Sequence, residues 1–346
     1  MKNKNQLLAR LASAYEYREE PFRLSSGQES HEYLDCRAAL SDPATLQLAA
    51  HAMLDLLSPE IHAVGGMTMG ADPLAVAVSL ASTQKFRHGL RWFSVRKEPK
   101  KHGTGRLIEG FCKPNANVAV FEDVTTTGES ALGAVRACMG EVMRVVQGVA
   151  LVDRGGVPSL NGTLPAKAVL PFADIAVVGR ARQIAIKAHG TQQYGAAGLY
   201  SATHLPAVVD VIAEMTDYEP GLMAAAWLHD SLEDTPETTD TLREQGVPGD
   251  VVGLVDACTD GEGRNRRERK ERPFQLIPTV TNSVLIKLAD RIANTEAARR
   301  DGKDDLIGMY RKEHDEFAGR LNGAPVSHGL DAAPFWARLS RALVST

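Results

Sequence analysis

The sequence predicts two domains of different class: an α/β domain built on a parallel sheet, followed by an all-α domain. Between Leu46 and Leu151, short apolar runs alternate with helix-like segments, the pattern of a parallel sheet with helices on its faces. From about Arg182 onward, long helical patterns replace the strand-like runs. A chain of 346 residues is long enough for two domains. We therefore expect domains over residues 1–180 and 181–346.

The predicted elements follow in order along each half. Buried strands are expected in the first half at Ile61–Gly65, Leu90–Val95, Val118–Phe121 and Val146–Val152. A segment rich in Gly and Pro then marks the boundary at Leu151–Arg180, and it contains one more strand-like run, Ile175–Val178. The second half is expected to hold long helices, among them Ala207–Met215, Leu222–Leu232, Val284–Thr295 and Asp305–Arg320.

Composition and charge exclude several functional classes. Lys and Arg number 39 against 43 Asp and Glu, a net charge of −4, so the chain lacks the basic surplus of a dedicated nucleic-acid binder. Four widely spaced cysteines without a C-x-x-C pair fit neither a disulfide scaffold nor a cysteine-rich zinc site, and they favour a cytoplasmic location. No apolar stretch reaches the roughly 18 residues of a membrane span, and no signal peptide is predicted.

An acidic pair and a hydroxyl-rich turn follow the strand Val118–Phe121. The pair is Glu122 and Asp123, and the turn that leads into a helix contains Thr125, Thr126, Thr127, Gly128 and Ser130. Backbone N–H groups and hydroxyls at a helix N-terminus form an anion site, while two carboxylates suit ribose hydroxyls or Mg²⁺. Together these features predict a site for a phosphorylated sugar. The alternative is an ordinary strand-end turn with a helix cap.

A cationic segment follows the strand Leu90–Val95. It contains Arg96, Lys97, Lys100, Lys101 and His102, and it ends at a flexible Gly-Thr-Gly sequence. A lid of this kind would neutralise the charge that builds on a pyrophosphate leaving group and would exclude water. The alternative is a solvated charged loop.

These stretches resemble the orotate phosphoribosyltransferases of the type I phosphoribosyltransferase fold. Besides the segment with the acidic pair, three segments carry the likeness: Phe22–Asp35, the cationic segment Ser94–Gly105, and Val152–Arg154. The likeness covers about residues 1–175. The resemblance implies transfer of a phosphoribosyl group from phosphoribosyl pyrophosphate (PRPP) to orotate with Mg²⁺, in a homodimer whose loop completes the neighbouring site. It implies catalytic roles for Lys97, Lys100, His102 and Asp123. It implies substrate contacts by Tyr33, Leu34, Arg96, Lys101, Glu122, Thr125, Thr126, Thr127, Gly128, Ser130 and Arg154.

The sequence departs from the family pattern in two segments. Met69, Gly70 and Asp72 offer no cation where members carry a lysine, although the backbone of Gly65–Ala71 can still cradle a phosphate. In the other segment, Ser25 replaces a lysine that contacts the base in many members. A transferase for another base therefore stays open as an alternative. So does a non-catalytic PRPP sensor that regulates the second domain, although a sensor would not need a lid over the leaving group.

The second half contains an apolar helix that suddenly carries four polar residues, His229, Asp230, Glu233 and Asp234. The four-residue spacing pairs His229 with Glu233, and Asp230 with Asp234, on neighbouring helix faces. Another carboxylate, Asp290, lies in a second apolar helix, and His189 and His204 stand upstream. Mixed imidazole and carboxylate ligands suit Mn²⁺, Fe²⁺ or Zn²⁺. The alternative for such a group is a hydrogen-bonded pair in the core.

This half resembles the HD phosphohydrolases, and within them the RelA/SpoT-type alarmone hydrolases. The resemblance implies Mn²⁺ or another divalent transition metal, bound by His204, His229, Asp230 and Asp290. It implies that Glu233 and Asp234 orient or deprotonate the attacking water, and that Asn294 contacts a phosphorylated nucleotide such as an alarmone. His189 matches a position that is not usually a ligand.

Two features of the second half leave its substrate open. The family's Arg-Lys pair is missing between Tyr194 and Tyr200. A basic run, 264–272, is either a phosphate clamp or a solvated helix face. A structural or dimerising module is the alternative to a hydrolase.

Overall fold

A computed structural model of the protein describes residues 3–23, 27, 29–85, 89–98, 106–196 and 198–344. The chain divides into two compact units. One unit, called here the α/β unit, is Arg10–Ala176, and the other, called the helical unit, is Met1–Ala9 with Val177–Thr346. The boundary drawn from the sequence placed the first residues with the α/β domain, whereas the structure groups them with the helical unit.

A parallel sheet forms the centre of the α/β unit. Six strands of the described chain form it, in the order β5-β4-β3-β6-β7-β8, and every neighbouring pair is parallel except β4 with β5. Two earlier strands, β1 (Tyr15–Arg23) and β2 (Glu29–Leu34), pair as a separate antiparallel hairpin. The sheet strands are β3 (Ala63–Met67), β4 (Arg91–Val95), β5 (Ile108–Gly110), β6 (Asn117–Thr125), β7 (Arg144–Asp153) and β8 (Ala166–Pro171).

Helices cover this sheet. They are α2 (Cys36–Leu40), α3 (Pro43–Leu56), α4 (Ala71–Ser82), α5 (Glu129–Gly140) and α6 (Val157–Asn161). Helix α1 (Asn3–Ala12) begins in the helical unit and ends in the α/β unit. The sequence defines the start of α3 clearly, because the Asp42 carboxylate accepts the backbone N–H of Thr45 and a proline follows the cap. Phe93, Val118 and Val120 of the strands pack with Ala134 of α5 in a buried core. These contacts hold α5 against the sheet.

The helical unit is built around one central helix. Its members are α7 (Phe172–His189), α8 (Tyr200–Met215), α9 (Pro220–Leu228), α10 (Ser231–Asp234), α11 (Thr239–Glu244), α12 (Gly249–Cys258), α13 (Arg266–Leu276), the 3₁₀ turn Ile277–Thr279, α14 (Ser283–Arg300), α15 (Asp304–Leu321) and α16 (Ala333–Leu343). Helix α14 contacts α8, α9, α12, α15 and α16. Ile286, Leu288 and Ile292 of α14 are fully buried there. The parallel sheet and the helical second half confirm the predicted fold class.

Two predicted elements are wrong. The strand-like run Ile175–Val178 lies inside α7, because a short apolar run in a buried helix has the same pattern as a buried strand. The strand at this edge of the sheet is β8, just upstream. The helix predicted over Leu222–Leu232 is interrupted, since α9 ends at Leu228 and α10 begins at Ser231.

The N-terminal residues complete the helical unit through one buried side chain. The Asn5 amide nitrogen donates to the backbone oxygen of Thr216 at 3.1 Å and to its hydroxyl at 2.9 Å. The Asn5 amide oxygen accepts the backbone N–H of Glu219 at 3.0 Å. Asn5 is fully buried, so these bonds satisfy the end of α8 and the start of α9. Among the helices of the described ranges, none combines the length and the hydrophobicity needed to span a bilayer.

Candidate active sites

A cavity of about 440 Å³ opens beyond the carboxyl ends of β3, β6 and β7. This is where ligands bind in open parallel sheets. Many of the predicted site residues line the cavity: Tyr33, Leu34, Lys97, Glu122, Asp123, Thr125, Thr126, Thr127, Gly128, Ser130 and Arg154. Arg96 does not line this cavity, and its guanidinium pairs with Glu109 at 3.1 Å. Lys100, Lys101 and His102 lie outside the described residues, as does Ser25.

The acidic pair lies within the carboxyl-terminal half of β6. The prediction that the pair follows the strand is therefore wrong. Burial, together with the neighbouring Asp123, raises the pKa of Glu122 to about 8. The backbone N–H of Ala131 offsets a small part of this rise in pKa. The Asp123 carboxylate accepts the backbone N–H of Val124 at 2.9 Å. The cavity therefore presents two adjacent carboxyl groups, one of which is protonated readily.

The turn after β6 requires a glycine for its backbone conformation, and it leaves a hydroxyl group available to bind a ligand. Gly128 has φ of +80°, a left-handed conformation that glycine adopts without strain, and α5 begins at the next residue. The buried hydroxyl of Thr125 has no hydrogen-bond partner within the described ranges. Gly156 packs against this hydroxyl so closely that a Cβ there would come within 2.2 Å of it. A polar group that is buried next to a cavity without a partner is suited to bind a ligand.

Gly70 is a site position whose role the sequence analysis did not identify. A Cβ added at Gly70 would lie 2.7 Å from a carboxylate oxygen of Asp123, so only glycine leaves that carboxylate where it is. The sequence indicated a missing cation here and a backbone able to cradle a phosphate, but not this close approach to Asp123. The short glycine pattern after β3 was the available signal, because such a glycine often marks a close backbone approach.

Arg154 is fixed at the end of β7 by three contacts. Its guanidinium donates to the Ser30 hydroxyl at 2.7 Å and to the backbone oxygen of Glu32 at 3.1 Å. It also lies 4.0 Å from the ring centroid of Phe172. Burial lowers the pKa of Arg154. A guanidinium held in this way can meet a planar anion with little loss of side-chain entropy.

Three ligand atoms converge in the helical unit. They are the Nε2 atoms of His204 and His229 and a carboxylate oxygen of Asp290, and all lie within 4.8 Å of one another. The two Nε2 atoms are 3.3 Å apart, and the His204 nitrogen is 3.4 Å from Asp290 Oδ1. Asp230 Oδ2 lies 3.0 Å from His229 Nε2 and 3.8 Å from His204 Nε2. The structure thus brings the four predicted ligands together from α8, the end of α9 and α14.

The interruption after α9 orients the histidine. His229 Nδ1 lies 2.9 Å from the backbone oxygen of Ala226, an acceptor, so Nδ1 carries the proton and Nε2 faces Asp290. The single continuous helix predicted to carry both His229 and Glu233 is therefore interrupted between them. Glu233 and Asp234 lie on the separate helix α10.

Two tyrosines orient the aspartates of this cluster. In the sequence they only bordered the segment that lacks the family's Arg-Lys pair. The hydroxyl of Tyr200 donates to Asp230. The hydroxyl of Tyr194 donates to Asn294 Oδ1 at 2.7 Å, and the Asn294 amide donates to Asp290 Oδ1 at 2.5 Å. Each aspartate is thereby oriented by a neighbouring side chain. Second partners of this kind are typical of metal ligands.

The two carboxylates of α10 are held by other groups. Gln192 donates to Asp234 Oδ2 at 3.1 Å, and its amide oxygen lies 2.6 Å from His189 Nδ1. Glu233 Oε2 accepts the backbone N–H of Asp260 at 3.3 Å. Burial and the nearby Asp260 raise the pKa of Glu233. The structure therefore places His189 behind Asp234, outside the cluster of three ligand atoms.

The charges of this cluster fit a divalent cation. Burial opposes the ionised form of Asp290, but hydrogen bonds from His204 and His229 lower its pKa. Burial likewise opposes the charged form of His229, but Asp230 outweighs it and raises the pKa of His229. Two facing imidazoles and two carboxylates therefore require shared positive charge. A proton or a divalent metal ion supplies such charge, and the nitrogen and oxygen donors are those that Mn²⁺, Fe²⁺ and Zn²⁺ accept.

Comparisons with known proteins identify the first half. The orotate phosphoribosyltransferase of Leptospira biflexa serovar Patoc (strain Patoc 1 / Ames) is 41% identical over 153 residues, which cover 42% of this chain and 82% of that protein. Through its N-terminal half, this chain belongs to the orotate phosphoribosyltransferase family. The resemblance inferred from the motifs is thus confirmed. No family model matches the chain.

Solved structures give weaker likenesses. The orotate phosphoribosyltransferase of Mycobacterium tuberculosis H37Rv in complex with PRPP is 30% identical, with a TM-score of 0.40, over 50% of this chain and 99% of that one. A metazoan ortholog of SpoT that hydrolyses ppGpp is 23% identical, with a TM-score of 0.39, over 48% of this chain and 93% of that one.

Proposed function

We propose that the α/β unit transfers the phosphoribosyl group of PRPP to orotate, which gives orotidine 5′-monophosphate and pyrophosphate. The single observation that carries this proposal is the cavity where Asp123, the threonine turn and Arg154 meet at the carboxyl edge of the sheet. Family membership supports the same reaction. In the reaction, the bond from the anomeric carbon to pyrophosphate breaks and a bond to the base nitrogen forms.

Each group of cavity residues has a defined part in this proposal. Glu122 and Asp123 hold the ribose hydroxyls, and the negative charge of Asp123 favours the positive charge that builds at the anomeric carbon. The N–H groups and hydroxyls of Thr125–Ser130 hold the 5′-phosphate at the start of α5. Arg154, with Tyr33 and Leu34, faces the orotate. Mg²⁺ accompanies PRPP and neutralises part of its charge.

Charge on the leaving pyrophosphate is stabilised by the cationic segment. Lys97 lines the cavity, and Lys100, Lys101 and His102 continue the same segment. Arg96 lies outside this cavity and borders a neighbouring groove of about 610 Å³. We propose that Arg96 contributes to the site of a second subunit, as the family resemblance implies.

The groove beside Arg96 also supports a homodimer. Val76, Leu80 and Trp92 line it with 37%, 70% and 40% of their surfaces exposed. Large apolar side chains that gather on one face commonly mark a protein–protein interface. Sedimentation analysis is expected to give twice the mass of the chain, and Leu80→Glu is expected to shift the protein toward monomer.

The transferase is tested by incubating the full chain with orotate, PRPP and Mg²⁺. Orotate absorbance is expected to fall, and Asp123→Asn is expected to abolish the fall. Glu60→Gln is a matched control, because Glu60 is an exposed carboxylate that does not line the cavity. Turnover with a different base only would favour the alternative transferase. Tight PRPP binding without turnover of any base would favour a PRPP sensor.

We propose that the helical unit is a metal-dependent phosphohydrolase that acts on a phosphorylated nucleotide such as an alarmone. The observation that carries this proposal is the convergence of His204, His229 and Asp290. With Asp230 they would hold Mn²⁺ or another divalent transition metal. A bound ion of this type lowers the pKa of water and polarises phosphoryl oxygens. Asp234 and Glu233 would orient and deprotonate the attacking water, and Asn294 would contact the substrate.

The hydrolase is tested by metal analysis and by a nucleotide panel with Mn²⁺. Release of phosphate or pyrophosphate and a bound divalent ion are expected, and both are expected to be lost in His229→Ala. His328→Ala is the matched control, since His328 is exposed and far along the chain from the cluster. If no divalent ion binds and the panel stays silent, the unit is better described as a structural or dimerising module.

A further inference from the structure

A second cavity of the helical unit is not used by either proposed reaction. It has a volume of about 380 Å³ and lies between α13, α14 and α15. Its polar lining consists of four cations, two carboxylates and an amide: Arg266, Arg267, Lys270, Arg291, Glu313, Glu316 and Asn265. Phe274 and Phe317 supply the apolar part of the wall. The lining therefore carries a surplus of two positive charges.

Among the described residues, one cation of this lining has no carboxylate partner. Glu313 accepts Arg266 at 2.9 Å through one oxygen and Arg291 at 3.0 Å through the other. Arg267 lies 3.5 Å from Glu316. Lys270, in contrast, makes no hydrogen bond or ion pair within the described chain. Its half-buried ammonium group faces a cavity that already holds three guanidinium groups.

The electrostatics of Lys270 agree with an anion site. Burial, with nearby Lys287 and Arg291, lowers the pKa of Lys270 to about 8. Placing a cation among other cations costs free energy unless an anion compensates it. Arg291 is rigid as well as charged, because its guanidinium lies 4.7 Å from the ring centroids of both Tyr310 and Phe317. A fixed guanidinium and an uncompensated ammonium group are a common donor set for phosphate.

The basic run 264–272 is thus divided by the fold. Arg272 is taken up by Asp256 and by the backbone oxygens of Asp256 and Thr259, so it is structural. Arg266 and Lys270 are four residues apart on α13 and face the same cavity. The run is therefore neither a uniform clamp nor a uniformly solvated face.

We propose that Lys270, Arg266 and Arg291 form a binding site for a phosphate-type anion, either free or at the end of a nucleotide. The site is separate from the four proposed metal ligands and requires no metal. It therefore stands or falls independently of the hydrolase. The two phenylalanines would pack against the remainder of a larger ligand.

The test is calorimetric titration of the full chain with pyrophosphate in the presence of EDTA. Binding is expected for the wild type and for Lys97→Gln, which weakens any competing site in the α/β unit. Lys270→Gln is expected to weaken binding about tenfold, because it removes a charge-assisted hydrogen bond. Lys270→Arg is expected to retain binding. Lys312→Gln is the control for net charge, since Lys312 is exposed and does not line the cavity.

A second measurement locates the bound anion. Pyrophosphate is expected to protect Lys270, but not Lys312, from acylation as read by peptide mass spectrometry. Titration with GDP distinguishes the two forms of ligand: tighter binding of GDP indicates a nucleotide, and tighter binding of pyrophosphate indicates a free anion. The proposal is overturned if no binding occurs, or if Lys97→Gln abolishes binding while Lys270→Gln leaves it unchanged.

Discussion

Glu122 makes the stability of the α/β unit depend on pH. Its pKa is about 8 in the folded protein against an ordinary value of 4.5, because burial and Asp123 disfavour the carboxylate. A raised folded pKa means that the native state holds a proton that the unfolded state has released. The associated stabilisation is complete below pH 4.5 and is lost as the pH rises through 8. At about 1.4 kcal/mol for each pH unit, the largest possible loss is about 5 kcal/mol.

The expected loss is smaller, because Glu122 keeps some contact with solvent. We expect about 2 kcal/mol after screening. Glu122→Gln removes the titrating group but keeps a side chain of nearly the same size and shape. The variant is therefore expected to match the wild type at pH 5 and to be about 2 kcal/mol more stable at pH 9. It should also lower transferase activity, because an amide replaces the carboxyl group that holds a ribose hydroxyl.

Hydrogen exchange in peptides of β6 and β7, measured at increasing urea, reports the free energy of unfolding of this unit alone. The measurement at pH 5, 7 and 9 should show the two proteins diverging as the pH rises. Glu129→Gln, an exposed carboxylate on α5, should leave the pH profile unchanged. If Glu122→Gln and the wild type have parallel profiles across this range, the cause assigned to the raised pKa is wrong.

Three further substitutions have defined expected results. Gly70→Ala forces the Asp123 carboxylate to move, so the KM for PRPP should rise about tenfold in steady-state assays. Asn5→Ala leaves buried backbone groups unpaired, so the free energy of unfolding of the helical unit should fall by about 2 kcal/mol, as measured by hydrogen exchange in α8. Tyr200→Phe frees Asp230, so the affinity for Mn²⁺ should fall about tenfold in competition with a chelator.

Matched controls separate these effects from general damage. Gly133→Ala adds a methyl group on α5 where the nearest atom is 3.9 Å away, so it should not affect PRPP binding. Gln6→Ala is the partner control for Asn5, because Gln6 is only partly buried on the same helix. Unchanged KM in Gly70→Ala, unchanged exchange in Asn5→Ala or unchanged Mn²⁺ affinity in Tyr200→Phe would contradict the respective assignment.

Local sequence patterns were sufficient for the central fold. The buried strands gave continuous apolar runs, so the sequence predicted β3, β4, β6 and β7 close to their observed positions. The hairpin of β1 and β2 was missed, because its strands are largely polar and only partly buried. The hydrogen bonds of Asn5 to Thr216 could not be predicted either, because residues 211 positions apart leave no local pattern in the sequence. Long-range hydrogen bonds of a single polar residue are set by tertiary structure alone.

The candidate sites were predictable where a motif concentrates the chemistry. The acidic pair and the threonine turn are adjacent in the sequence, so they line the same cavity. The residues that orient the proposed metal ligands were not predictable. Tyr194 and Tyr200 come from a segment in which the sequence showed only that the family's Arg-Lys pair is missing. Their hydroxyls reach Asn294 and Asp230 through the fold.

The break between α9 and α10 shows why the helical periodicity failed at the proposed metal site. In a continuous helix, consecutive residues point about 100° apart, so His229 and Asp230 could not face the same point. Ending α9 at Leu228 removes that constraint, and His229 Nε2 comes within 3.0 Å of Asp230 Oδ2. The interruption removes backbone hydrogen bonds at the end of α9. The imidazole of His229 replaces one of them, because its Nδ1 donates to the backbone oxygen of Ala226. A pattern that violates helical spacing at buried polar residues is therefore itself a signal that the residues serve a ligand.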